Sequence, residues 1–181
     1  TMKTRAAVLW EVGQEWSVEE VELDPLRPGE ILVETKAAGM CHSDEHLVTG
    51  DITAPPETIE QFGRGMFPII VGHEGAGVVV EVGEGVTSVA VGDHVAASFI
   101  PSCGGCRYCL TGRHNLCDMG QFLFAAGMMP DMVDRHHAKG KDVWTFCKLG
   151  TFAEHMMVTE NSIIKVDKDY PLPVVAIVSC G

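Results

Sequence analysis

Short apolar stretches, several of them alternating with polar residues, recur along the chain and are separated by glycine. Arg5–Trp10, Trp16–Leu23 and Ile31–Ala37 are rich in Val, Ile and Leu and partly alternate, the period of a strand with one face buried. Pro25, Pro28 and Gly29 punctuate between the second and third. Ala76–Val82 and His94–Phe99 continue the pattern across Gly83, Gly85 and Gly92, and Thr151–Val158 and Ser162–Val166 resume it late in the chain. Many short strands, glycine-bearing turns and few long helical repeats predict a mainly β fold with some α, an antiparallel barrel or sandwich. There is no internal repeat and no low-complexity tract.

Two stretches interrupt this rhythm. Asp51–Phe67 holds Pro55, Pro56, Gly63 and Gly65 and reads as a surface loop with at most one helical turn. Gln121–Lys148, with Met128, Met129, His136 and His137, reads as an irregular insertion, its adjacent histidines as polar surface rather than metal ligands. His94, in a turn-then-strand sequence, reads as structural, and His114 as polar surface. Near the end, the aliphatic run Leu172–Val178 leads into Ser179-Cys180-Gly181. A potential metal ligand one residue from the terminus, behind an uncovered apolar run, leads us to expect a fragment of a longer protein.

Composition narrows the classes. With 181 residues, 46% hydrophobic and 21% charged, the chain can bury one core with a small appended lobe. A formal charge of -12 argues against nucleic acid, which calls for clustered Lys and Arg. No stretch reaches the roughly 18 to 20 apolar residues of a membrane helix. The apolar segment Ala6–Trp10 is too short for a secretory signal. Seven cysteines, an odd number spaced for metal, fit a reducing cytoplasm better than a disulfide framework.

The cysteines carry the candidate chemistry. Cys103-x-x-Cys106-x-x-Cys109-x(7)-Cys117 lies in a glycine-rich loop and can close a tetrahedron of thiolates around one zinc with no position left for water. In iron–sulfur ferredoxins the fourth cysteine of such a run follows after three residues and precedes proline; here seven residues intervene and Asp118 follows. A saturated zinc of this kind builds a lobe and does no chemistry. A second set contrasts with it: Cys41 in Gly39-Met40-Cys41-His42-Ser43-Asp44-Glu45-His46, His73 and Glu74 in Gly72-His73-Glu74-Gly75-Ala76-Gly77, and Cys180. Two thiolates and an imidazole make a normal zinc set that leaves one position open for water or substrate. Cys147 is left over and reads as a buried thiol.

The motifs GMCHSDEH, GHEGAG and GDHV, with the Cys103–Cys117 spacing, resemble the zinc-dependent medium-chain alcohol dehydrogenases from Ala6 to Gly181. The opening MKTRAAVLWEVGQEWSVEEVELD, the segment HLVTGD and the 121–148 stretch are most similar to the actinobacterial, nitrosodimethylaniline-dependent type, which keeps its nicotinamide tightly bound. The resemblance implies a GroES-like, partly open barrel with a structural-zinc lobe at about 100–120. It implies Cys41, His73 and Cys180 as catalytic-zinc ligands, with Glu74 as a nearby auxiliary carboxylate. Asp44 would orient the zinc-bound imidazole. Ser43 would accept the alcohol proton, although serine there can also cap a helix start, and His46 would end the relay. Phe99 would line the substrate pocket, and His42 would meet the coenzyme pyrophosphate where relatives commonly carry arginine.

The implied reaction oxidises an alcohol to an aldehyde, passing hydride to NAD or its phosphorylated form. A thiol-dependent formaldehyde dehydrogenase shares these motifs, and a non-catalytic zinc-binding GroES-like module would share the fold. No Gly-x-Gly-x-x-Gly opens a helix after a strand; Gly83-Glu84-Gly85-Val86-Thr87-Ser88 lacks the third glycine. The resemblance implies that the nucleotide-binding Rossmann domain begins just after the position of Cys180, so it is expected after residue 181, residues 1–181 forming the catalytic domain, inactive when isolated. The full-length form is expected to be a homo-oligomer acting on a small alcohol or aldehyde.

Overall fold

The computed structural model describes residues 1–63, 65–100, 102–122 and 131–181. Its strands are β1 (Met2–Leu9), β2 (Ser17–Leu23), β3 (Glu30–Gly39), β4 (Ile69–Ile70), β5 (Glu74–Val82), β6 (His94–Ala97), β7 (His136–Ala138), β8 (Lys141–Thr145), β9 (His155–Thr159) and β10 (Ile163–Val166). Helices α1 (His42–Thr49), α2 (Pro56–Phe62) and α3 (Leu172–Ala176) accompany them. Strands β1-β2-β7-β8-β4 close into a barrel, and β10-β6-β5-β3-β9 form a five-stranded sheet. Among the described strands the ladders are antiparallel except β4 against β8. The mainly β architecture expected from the sequence is present; the barrel's hydrogen-bonded ring is complete, and the second sheet stays open.

Burial follows the alternation. On β2, Val21 and Leu23 are buried while Val18, Glu20 and Glu22 are exposed. β3 departs from this, since Glu30, Ile31, Leu32 and Val33 are all buried. Both its faces are covered: Leu32 joins the barrel core with Val8, Val21, Leu23 and Val143, whereas Ile31 and Val33 join the sheet core with Val79, Val95 and Met156. β9 is shared likewise through Met157 on one side and Met156 and Val158 on the other. Each such side chain contributes on the order of 2 kcal/mol of burial, so these two strands weld the layers together.

Residues 121–148 are less irregular than expected. Leu123–Pro130, including Met128 and Met129, lies outside the described residues, but β7 and β8 make a hairpin that completes the barrel. Its two-residue turn, Lys139-Gly140, has φ of 51 and 73, the positive pair a type I′ connection demands. Strand alternation also corrects the expectation for the two histidines. His136 is buried in the barrel, and burial pushes its pKa down to about 4. His137 faces outward, with Nδ1 2.9 Å from Asp142 and Nε2 3.4 Å from Asp24. Just upstream, the fully buried Arg135 lies 2.8 Å from Glu30 at the start of β3 and 2.7 Å from Asp131. That ion pair ties residues 131–135 to the strand that leads to the site. Within Asp51–Phe67, the helix α2 replaces the expected loop with one turn.

Candidate metal centre

β3 ends at Gly39, and two residues later Cys41 caps α1. The cap is therefore Cys41, and Ser43 is the second helical residue. Asp44, at the third helical position, returns Oδ2 to accept the Cys41 N–H at 3.1 Å, a capping-box contact. Its other oxygen accepts the Gly72 N–H at 3.0 Å and meets His73 Nδ1 at 3.3 Å. Gly72 has φ of 91, and a Cβ there would lie 2.5 Å from both Phe152 and Thr151, so only glycine fits this turn. One fully buried carboxylate thus fixes the backbone before both Cys41 and His73. It also leaves Nε2 as the imidazole nitrogen free to bind a metal.

Two further groups complete the cluster. Glu74 opens β5 directly after His73. α3 packs Val175 and Ala176 against Ala76 and Ala96, which brings Cys180 back over the same sheet end. The ligand atoms of Cys41, His73, Glu74 and Cys180 all lie within 4.8 Å of one another. Phe146 and Phe99 stand edge-on to the His73 ring, with centroids 5.1 and 6.3 Å away.

The electrostatics of this pocket call for a cation. The Ser43 backbone N–H holds the Cys41 thiol below its ordinary range against the effect of burial, with help from the Ser43 hydroxyl and His73. Desolvation pushes Cys180 up to about 11, and the negative charge of Cys41 and Glu74 adds to it. Burial would lower the His73 pKa, but the hydrogen bond and charge of Asp44, followed by those of Cys41, reverse this and leave it raised. Two thiolates and a carboxylate this close repel one another, and a divalent ion of zinc's softness removes the conflict.

The second cluster is built locally. Cys103, Cys106, Cys109 and Cys117 also bring their ligand atoms within 4.8 Å of one another. Backbone N–H groups of Cys106, Cys109 and Cys103 donate to the sulfurs of Cys103, Cys106 and Cys117 at 3.3, 3.5 and 3.2 Å. A tetrahedral zinc with bonds of about 2.3 Å sets its sulfurs about 3.8 Å apart; Cys106 and Cys117 Sγ are separated by 4.0 Å. The N–H of Cys109 holds the Cys106 thiol down, while burial pushes Cys109 up.

Comparison with known proteins agrees with this picture. The family of the alcohol dehydrogenase GroES-like domain matches residues 27–168. The chain belongs to that family. It is 49% identical over 180 residues to the NDMA-dependent alcohol dehydrogenase of Amycolatopsis methanolica, covering 99% of this chain and 45% of that protein. It is 46% identical, with the same coverage of each, to alcohol dehydrogenase B of Mycobacterium tuberculosis. A crystal structure of an alcohol dehydrogenase zinc-binding domain protein from Burkholderia ambifaria superposes with a TM-score of 0.84 at 31% identity, covering 99% of this chain and 46% of that one. The chain thus spans about half the length of the curated relatives it matches.

Of the remaining sequence-predicted residues of this alcohol dehydrogenase domain, Ser43 and Phe99 touch the cluster, while His42 and His46 pair with each other and with acidic neighbours. Ser43 Oγ is 3.7 Å from Cys41 Sγ. His46, one turn on, places Nδ1 3.1 Å from Asp51, and its ring lies 4.6 Å from that of His42. His42 is exposed, 3.4 Å from Glu45. Phe99 lies against both the site side and the sheet core. Sequence reasoning missed Phe146, which a 3-10 turn after β8 carries to the imidazole. It missed Gly72 as a partner of Asp44 as well. Neither has a sequence signal beyond proximity to a motif. Cys147 is a buried thiol, as expected, and burial raises its pKa.

Proposed function

We propose that this chain is the catalytic, metal-holding part of a zinc-dependent alcohol dehydrogenase that oxidises small alcohols to aldehydes, with a nicotinamide as hydride acceptor. The observation that carries the reading is the gathering of Cys41, His73, Glu74 and Cys180 within 4.8 Å, on a histidine aligned by a buried carboxylate. Zinc bound by Cys41, His73 and Cys180 would act as a Lewis acid that lowers the pKa of an alcohol hydroxyl. Asp44 fixes the tautomer and direction of His73. Ser43, beside Cys41 in the first turn of α1, takes the hydroxyl proton. His46, three residues on and on the same helix face, hands it toward solvent past Asp51. Phe99 and Phe146 wall the imidazole side and exclude water. His42, exposed at the start of α1, meets the coenzyme phosphates.

Glu74 serves as an auxiliary ligand, and Cys103, Cys106, Cys109 and Cys117 hold a second, structural zinc. The free thiols of all seven cysteines suit a reducing cytoplasm. Among the described residues no helix is long and apolar enough to cross a membrane. These 181 residues contain no glycine fingerprint for a dinucleotide, so we infer that by themselves they hold metal yet turn over alcohol poorly. Metal analysis tests the reading. Wild type should hold two zinc ions per chain, and Cys41→Ser and Cys109→Ser should each hold one. A wild type with a single ion that Cys41→Ser leaves in place would overturn it.

A further inference from the structure

Glu74 lies opposite a residue with no side chain. Gly39 and Glu74 are the last cross-strand pair of the β3–β5 ladder. Both are buried. Gly39 does not adopt a left-handed backbone, so its conformation does not call for glycine. Space does: a Cβ at Gly39 would lie 1.9 Å from Glu74 Oε2, 3.0 Å from its Cδ and 3.1 Å from its Cβ. The carboxylate of Glu74 sits where the side chain of residue 39 would be, beside Cys41 and Cys180.

We propose that Gly39 is a positioning residue for the metal site: the hollow it leaves seats the Glu74 carboxylate within ligand reach of Cys41, His73 and Cys180. This rests on the metal reading of that cluster. The atom in conflict at 1.9 Å is the tip of a flexible side chain, so Gly39→Ala keeps the fold and evicts the carboxylate. The Glu74 backbone stays paired in β5. Deleting the carboxylate removes the contacts at 1.9 and 3.0 Å and leaves an alanine at residue 39 only the Cβ of residue 74, at 3.1 Å, to accommodate.

A double-mutant cycle reads this coupling directly. Metal-free wild type, Gly39→Ala, Glu74→Ala and the double variant are titrated with Co2+ alone, following its visible absorption. Circular dichroism of each variant reports that the barrel is intact, and the four-cysteine site serves as an internal reference in the same spectrum. Gly39→Ala is expected to weaken cobalt binding at the Cys41 site by about 10- to 100-fold, the range for groups that orient ligands. In the Glu74→Ala background it should change the affinity less than twofold. If Gly39→Ala alone fails to fold while the double variant folds and binds like Glu74→Ala, the rescue supports the same overlap. Two cobalt sites in wild type, with Gly39→Ala silent or equally damaging in both backgrounds, overturn the proposal alone. A wild type that binds cobalt only at the four-cysteine site overturns the metal reading, and the proposal with it.

Discussion

The four-cysteine lobe draws its ligands from residues 103–117 and has little else to hold it. Leu110 and Leu116 are exposed there, the secondary structure is short 3-10 turns, and the sulfurs accept N–H groups of the same loop. The Cys41 cluster draws its ligands from the end of β3, the start of β5 and the residues after α3. It stands on two hydrophobic cores joined by β3 and β9. On the proposed reading a metal in the lobe would take the place of a core, whereas at the Cys41 cluster the core would prepare a place for the metal. A site meant to exchange its fourth ligand needs a scaffold that does not depend on that ligand.

The largest effect should come from breaking the lobe. Apparent binding energies of structural zinc sites are on the order of 10 kcal/mol, far above what its few contacts supply. Cys109→Ser, which removes a buried sulfur, should abolish hydrogen-exchange protection across residues 103–117 while the β3 and β9 amides keep theirs. Equal loss in both regions would erase the distinction between them.

Acid should act through the barrel instead. In the folded state the pKa of His136 is pushed down to about 4 from 6.5 by burial. Above pH 6.5 it is neutral whether the chain is folded or not. As pH falls from 6.5 to 4, the unfolded chain takes up a proton that the folded chain refuses, and stability is lost, by about 3 kcal/mol in all. Denaturant unfolding of the metal-free chain at pH 7 and pH 4.5 measures this, and His136→Phe should remove most of that difference. A variant as acid-sensitive as wild type would clear His136 of the role.

A smaller, sharper effect belongs to Asp44. Its two oxygens face three N–H groups, on Cys41, Gly72 and His73, and an amide offers only one acceptor oxygen. Asp44→Asn should weaken metal binding at the Cys41 cluster by about 10- to 100-fold, and leave the four-cysteine site unchanged. Competition with a coloured chelator separates the two. A loss shared by both sites would point to general destabilisation.

Much of this was legible before any coordinates. Short apolar stretches between glycine turns marked β1, β2, β3, β5, β6, β9 and β10, and on β2 they alternate as a half-buried strand must. The hairpin of β7 and β8 escaped notice because its turn is Lys139-Gly140, not the Asn-Gly that announces such turns. The burial of His136 escaped with it, since the inward face of a strand cannot be assigned before the strand is seen. Phe146 reaches His73 through a turn whose direction no local pattern encodes.

The spacing of Cys103, Cys106, Cys109 and Cys117 was sufficient by itself to foretell that their four sulfurs gather, because a loop that short constrains where its sulfurs can go. Gathering Cys41, His73, Glu74 and Cys180, seating one carboxylate over Gly39, and aiming two aromatic rings at the imidazole were decided only by the packed layers. Contacts between residues far apart in the chain cost loop-closure entropy that only the whole hydrophobic core can offset.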